Sequence, residues 1–390
     1  MSHSKTELAQ KLFPLGYAEG PSFCNRDEER ERLKRNILSG RHTYITGMRL
    51  YGKTSLVRQV AAELRRKRSP KVHTYSIDLL TVHTLETLDA LLRDAVGRLS
   101  AEFLPSNKRV LGTLAKFFAG FKPELTVRQD GFSVKLFSDK VSTKSISELL
   151  IGLDQAARHY KRRAVLILDE FQNIAMIDHG ETIEESIRLA AKEANALSFV
   201  FLGSERRSLE MMFEEAHRPM KNSASEHLQL ERISEQDYRP FLEDAARLRW
   251  SKGISEMAID AILELSDRHP NYVNMLCRDL WLESRPPSVA AVNATWIGIL
   301  KLQRNQAHRE IASLAHAQRT VLKAMAIEPT SQPTASGYLA RFRIANSTMR
   351  RSLDVLLERD FVRKTSSGVY EVVDPLVKGV MAAGIESEPL

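Results

Sequence analysis

Two cysteines, Cys24 and Cys277, are the only thiols in the 390-residue chain. They cannot build a disulfide framework, and no CxxC spacing offers a structural metal site. No stretch approaches 18 consecutive uncharged apolar residues, so the sequence carries no membrane-spanning helix. The leading residues MSHSKTELAQKLFPLGYAEG have no apolar core followed by a small-residue cleavage site, which makes the cytosol the expected compartment. Internal repeats and low-complexity tracts are absent as well. What is present is ordinary globular usage, 43% hydrophobic and 27% charged residues, which excludes global disorder. The length suits two or three domains. A formal net charge of +8 favours an anionic partner such as nucleotide or nucleic acid, and has no bearing on the fold.

Along the chain, DEERERLKRNIL reads as a charged helix. A short apolar run, His42 to Thr46, then meets the glycine-bearing stretch GMRLYGKTSL, and a helical pattern follows from Leu56 to Arg66. Residues 72–80 read as a second strand, and 82–104 and 145–160 as helices. PELTVRQDGFSVKLF alternates polar and apolar residues around Asp130-Gly131, a hairpin inserted at about 121–137. Ala164 to Leu168 is the strongest buried-strand signal and ends at Asp169-Glu170. Ser198 to Gly203 is another. Strands alternating with helices imply a parallel sheet with crossover helices. From 233 to 312 the pattern is all-helical, and 313–390 reads as three helices and a β-hairpin. The expected domains are therefore 1–232, 233–312 and 313–390.

Gly47-Met48-Arg49-Leu50-Tyr51-Gly52-Lys53-Thr54 fits GxxxxGK[ST], and Ser55 follows. Backbone N–H groups in such a loop cradle phosphate oxygens, and the helix that starts there adds its positive end. Lys53 would reach the β- and γ-phosphates, and the Thr54 hydroxyl would ligate Mg²⁺. Asp169, at the end of a strand 115 residues downstream of Thr54, could hold the same metal. Glu170 could orient and deprotonate the attacking water. Ser204 could contact the γ-phosphate or that water, or simply cap a turn. The cofactors expected are ATP and Mg²⁺. No NKxD follows the P-loop, which leans towards adenine over guanine.

With these residues in place, the chain resembles the archaeal-type ATPases of the STAND branch, relatives of the AAA+ origin-recognition proteins. The resemblance rests on Arg49 and GKTSL, on LILDEFQ from Leu166 to Gln172, on Phe23-x-x-Arg26-x-x-Glu29, and on Phe201-Leu-Gly-Ser204. Arg268-His269-Pro270-Asn271-Tyr272 matches the helical-domain signature. The resemblance implies an α/β P-loop NTPase fold (ASCE, AAA+/STAND-like) with a parallel sheet core, an all-helical lid and a C-terminal winged helix-turn-helix. It also implies that Phe23 to Arg26 line an adenine pocket and that His269, followed by Pro270, faces the phosphates. A capping or core histidine is the other reading of His269. The sequence departs from the family at two points. Ser223 stands where a trans-acting arginine is usual, leaving Arg206, Arg207 or Arg218 as substitutes, and Arg268 replaces a glycine.

In the tail, Asn346, Ser347, Thr348, Arg350 and Arg351 would lead the recognition helix, and Arg363 and Lys364 would open the wing. The tail is only mildly basic, so a protein-docking role competes with DNA contact. Lys161, Arg162 and Arg163 read as a solvated loop ahead of the central strand, with phosphate contact the alternative. The expected function is an Mg²⁺-ATP-dependent switch ATPase that couples nucleotide state to double-stranded DNA or a partner, with self-assembly possible. The alternatives are a non-hydrolysing ATP-bound DNA regulator, or an oligomerising defence or transposition helper acting through a separate effector.

Overall fold

The computed structural model describes residues 5–67, 69–104, 111–128, 131–138 and 141–385. The chain divides into two compact units, and the division falls between Arg232 and Ile233. Residues 5–16, counted with the α/β core on sequence grounds, cluster with the C-terminal unit. Helix α1 (Lys5–Leu12) is followed by Phe13, whose fully buried ring lies 4.8 Å from that of Trp281. The apolar edge of α1 therefore finds its cover among helices more than 200 residues away.

The α/β unit contains α2 (Asp27–Leu38), β1 (Thr43–Gly47), α3 (Lys53–Arg65), β2 (Val72–Asp78), α4 (Leu85–Phe103), α5 (Leu111–Phe117), β3 (Lys122–Arg128) and β4 (Gly131–Phe137). It continues through α6 (Thr143–His159), β5 (Arg163–Asp169), α7 (Gly180–Glu193), β6 (Leu197–Gly203), α8 (Arg206–Glu214) and β7 (Glu226–Leu230). Five strands pair in parallel in the order β2-β5-β6-β1-β7. β6 is buried along its whole length and β5 along its middle, which is why both read as unbroken apolar runs. The edge strand β7, EHLQL, has only two buried residues and gave no such signal.

Core packs on both faces of the sheet. One cluster gathers α4, α6 and α7, and the other gathers α2 and α3 over Ile45, Val165, Val200 and Leu228. The β3–β4 hairpin is a separate two-stranded sheet, with Arg128 opposite Gly131. Gln129 and Asp130 lie outside the described residues. Sequence alone suggests a hairpin at a sheet edge. Instead Val134 and Leu136 are buried in the cluster beneath α4, because this is the apolar face that α4 and α6 leave open.

The second unit contains α9 (Glu235–Trp250), α10 (Glu256–Leu265), α11 (Pro270–Leu280), α12 (Val289–Ile311), α13 (His316–Ile327), α14 (Ser336–Phe342), α15 (Asn346–Glu358), β8 (Val362–Lys364), β9 (Tyr370–Val372) and α16 (Pro375–Ala383). Separate lid and winged-helix domains are the expectation from sequence, yet these elements form one compact unit. Tyr272 of α11 donates its hydroxyl to the Asp374 carboxylate at 2.9 Å, and Gly379 of α16 sits so close to Leu300 of α12 that a Cβ would meet its Cδ2 at 2.6 Å. Trp281 and Trp296 are buried packing residues, and Trp250 leans on Trp281 at 4.8 Å.

The placement of the hairpin makes a testable statement. A Cβ on Gly97 of α4 would stand 2.3 Å from the Val134 carbonyl oxygen, a backbone atom with nowhere to go. Gly97→Ala is expected to destabilise the α/β unit by about 1–3 kcal/mol in chemical denaturation. An unchanged midpoint would mean that α4 and β4 do not meet there.

Candidate nucleotide site

In a parallel sheet every strand ends at the same edge, so β1, β5 and β6 deliver the chain segments after Gly47, Asp169 and Gly203 to one place. The loop between β1 and α3 turns tightly. Leu50 is left-handed (φ 62°), and its side chain is exposed. Gly52 is also left-handed (φ 86°) and forms the N-cap of α3 without a side-chain cap, so the first N–H groups of the helix stay available. At Gly47 the requirement is space, since a Cβ would meet the Leu230 carbonyl oxygen at 2.9 Å.

Lys53 is buried at 6% exposure and donates to the carbonyls of Gly47 (2.7 Å) and Met48 (3.0 Å). No carboxylate lies within ion-pair distance of it among the described residues. Burial pushes its ammonium down to about 8, while Glu170 and then Asp169 pull it back up. A buried cation without a counter-ion, beside uncapped helix N–H groups, is a fitting cradle for a polyphosphate.

Thr54 donates its hydroxyl to Asp169 Oδ2 at 2.8 Å, closing the gap between segments 115 residues apart. The Asp169 carboxyl is raised above its ordinary range, first by burial and then by Glu170 and Asp78, against hydrogen bonds from Thr54 and the Glu170 N–H. Asp78 pairs in register with Asp169 at the end of β2. Glu170 is left-handed (φ 55°), and its Oε2 accepts three hydrogen bonds. They come from the Ser204 hydroxyl (2.7 Å), the Ser204 N–H (3.1 Å) and Gln172 Nε2 (2.6 Å). Ser204 thus spends both its donors on Glu170 instead of capping its turn. Gln172 was not singled out from sequence, although its place two residues after Glu170 was the available signal. Gly203 makes room for it, because a Cβ there would stand 2.6 Å from Gln172 Oε1.

Several residues expected at the nucleotide make contacts within the chain. Tyr51 is buried, and its N–H closes a turn onto the Met48 carbonyl. Its own carbonyl accepts from Arg26 (3.0 Å), and its hydroxyl accepts from Arg232 (3.2 Å). Arg26 does not line an open pocket. It is buried and ties Tyr51 to the Glu231 carbonyl (2.7 Å) at the end of β7. The Ser55 hydroxyl accepts the Ala18 N–H at 3.0 Å, and Gln59 accepts that of Gly20 at 2.9 Å, so residues 18–20 hang on α3. Phe23 is half-buried against the core, with the Arg30 guanidinium 5.9 Å from its ring centre. Arg49 is exposed.

His269 and Pro270 belong to the other compact unit. His269 is buried at the N-cap position of α11 without a side-chain cap hydrogen bond, 4.7 Å from the Tyr272 ring, and Pro270 occupies the first turn. Arg268 is left-handed (φ 54°), a conformation that glycine adopts most readily. Among the arginine substitutes, Arg218 pairs with the fully buried Glu184, and Arg206 with Glu210 (2.8 Å). In the tail, Asn346, Ser347, Arg350 and Arg351 are exposed on α15, with Met349, Leu353 and Leu356 turned inward. Thr348 is half-buried. Arg350 donates to Asn346 at 3.0 Å. Arg363 is less free than expected, since it pairs with Glu371 at 2.7 Å across the hairpin, while Lys364 lies over the Tyr370 ring.

Residues 37–212 match the AAA domain family, and residues 308–382 match a family described as a probable winged helix domain. The chain thus carries an AAA domain followed by a C-terminal winged helix. The Walker-type ATPase PABY2304 of Pyrococcus abyssi shares this fold with a TM-score of 0.69 at 17% identity, over 95% of this chain and 99% of that one. The Aeropyrum pernix ORC2 protein, solved as ADPNP-ADP complexes, gives 0.58 at 17% identity over 97% and 98%. The ORC1 protein of the same organism, in complex with DNA, gives 0.50 at 15% over 97% and 96%. No curated protein matches the sequence. None of the described helices is long and apolar enough to cross a membrane.

The Arg218–Glu184 pair offers a pH test. Burial raises the Glu184 carboxyl to about 7 from its ordinary 4.5, in spite of Arg218. The folded chain then holds a proton that the unfolded chain loses, so stability is greatest below pH 4.5 and falls as pH rises through 7. Relative to Glu184→Gln, which does not titrate, the wild type is expected to lose up to about 3 kcal/mol over that window. Urea midpoints of both proteins at pH 5 and pH 8 measure this, and a gap that does not change with pH contradicts it.

Proposed function

We propose that this protein binds ATP with Mg²⁺ at the P-loop, hydrolyses it slowly, and uses the nucleotide state to control contact of its winged helix with duplex DNA or a partner protein. The observation that carries this reading is the Thr54–Asp169 hydrogen bond, which brings the hydroxyl and carboxylate that suit a metal ion to the mouth of the lysine-bearing loop. Mg²⁺ held by Thr54 and Asp169 would offset phosphate charge. Lys53 would turn from its own loop's carbonyls to the phosphates, an exchange favoured because it gives a buried cation its missing counter-charge. The Gly52 to Ser55 N–H groups would hold phosphate oxygens. Glu170 would take a proton from water. Ser204 and Gln172 fix Oε2, and Oε1 has no hydrogen-bond partner among the described residues. The exposed Asn346, Arg350 and Arg351 of α15 would meet base edges and phosphates, with Thr348 and Lys364 at the margin.

A non-hydrolysing ATP-bound regulator is the second reading. It is favoured by the pairing of Arg218 with Glu184 and of Arg206 with Glu210 and by a serine at position 223, which leave the exposed Arg207 as the remaining substitute for a trans-acting arginine.

Lys53→Ala is expected to weaken ATP binding at least about tenfold, as read by fluorescent-nucleotide titration; unchanged affinity would remove the P-loop from its role. Glu170→Gln is expected to retain binding and to reduce phosphate release by about 10²–10⁴. If the wild type itself releases no phosphate at any protein or DNA concentration, the regulator reading replaces the enzymatic one.

A further inference from the structure

The opposite edge of the sheet, where the strands begin, carries a second charge pattern that the nucleotide site does not use. Three loops lead into β1, β2 and β5 there. They bring Arg41, then Arg66, Lys67 and Lys71, then Lys161 and Arg162 to one pole. The loops are contiguous. The Arg163 N–H donates to the Lys71 carbonyl at 3.0 Å, and the Arg163 guanidinium donates to the Asn195 carbonyl at 3.2 Å, close against Gly40. Five of the six cations are exposed, and Arg162 is half-buried with its Nε unpaired.

None of the six has an acidic partner among the described residues. Elsewhere in the same unit several arginines are paired: Arg30 with Glu63, Arg32 with Glu226, Arg93 with Asp89, Arg98 with Asp94. Of the acids near the pole, Glu63 is spent on Arg30 and Lys34, Glu102 on His73 and Asp154 on Arg158, and Glu193 at the end of α7 is exposed and pairs with none of the six. Helix C-termini also converge at this edge and attract cations. Four of them already have a base in the last turn, Arg35 in α2, Arg65 in α3, Arg158 in α6 and Lys192 in α7. The six loop cations outnumber the unpaired acid at this edge, Glu193, and their mutual repulsion favours an external anion.

We propose that this pole is a second DNA-binding surface, one that grips the phosphates of duplex DNA without reading sequence. The distance from β1 to β2 across the sheet is three strand spacings, about 14 Å, and that length of duplex carries about eight phosphate charges. The three loops expose no large apolar side chain, which a membrane-surface site would insert among its cations. The winged helix of the same chain is a duplex-reading fold, and a sequence-blind grip would raise its local concentration of DNA.

The test uses the full chain and a 40-base-pair duplex of arbitrary sequence, with fluorescence anisotropy between 50 and 200 mM salt. Lys67→Ala/Lys71→Ala/Lys161→Ala is expected to raise Kd at least tenfold at the lower salt. It should also reduce the log–log salt slope by about 2.7, three phosphate contacts at ~0.9 each. Thermal unfolding should not fall, because none of the three lysines has an ionic partner to lose. Arg350→Ala/Arg351→Ala, tested alongside, separates the two surfaces. Loss of binding in that variant with no change in the lysine variant would overturn the inference and leave the winged-helix proposal standing. A wild type that ignores the duplex yet binds phosphatidylserine vesicles would also overturn it.

Discussion

A buried lysine without a carboxylate is the constraint around which the α/β unit is arranged. Desolvating an ammonium is expensive unless something answers its charge. Lys53 is answered only by two carbonyl oxygens of its own loop and by the more distant field of Glu170 and Asp169. Much of the surrounding structure exists to keep the loop in that form. Arg26 pins the Tyr51 carbonyl to the end of β7, Arg232 holds the Tyr51 hydroxyl, and the missing Cβ of Gly47 lets β7 pass at van der Waals distance. Residues 230–232, where the chain leaves the α/β unit, are thus attached to the phosphate loop at three successive positions. Strain in that loop has a direct mechanical path to the boundary of the unit.

Charge is sorted between the two edges of the sheet. At the edge where strands end, Asp78, Asp169 and Glu170 gather around Lys53, and helix N-termini face the same region. At the edge where strands begin, the surplus is cationic, beyond what the helix C-termini use. An ordinary α/β fold does not require this. Many other charges of the unit are paired, down to the buried Glu184 beside Arg218.

The core of the fold was legible because its signals are local. The run AVLIL is buried on both sides and therefore apolar without interruption, GxxxxGK[ST] needs only neighbouring residues, and DEERERLKRNIL forms α2 with its acids in the first turn. Less legible were elements whose role is set by what they touch. β7 is half-buried on an edge, so its alternation was too weak to register. The 122–137 hairpin read correctly as a hairpin, but its burial under α4 depends on Gly97 and on apolar faces contributed from elsewhere. Tyr51, Ser55 and Arg26 lie within or near recognisable motifs, and motif position alone pointed them at the nucleotide. The structure turns each toward another part of the chain, because a tight loop needs its own scaffold.

By itself the sequence determined the class of fold, the identity of the phosphate loop, the acidic strand end and the order of helices in the tail, since each is encoded within one helical or strand repeat. Only tertiary structure decided that Thr54 and Asp169 share a hydrogen bond, that Glu170 is gripped through one oxygen by Ser204 and Gln172, and that six separated cations stand together without acids. These are relations between segments brought side by side by parallel strand pairing. Their sequence separations range from tens to more than a hundred residues, and no local pattern records which distant atoms will meet.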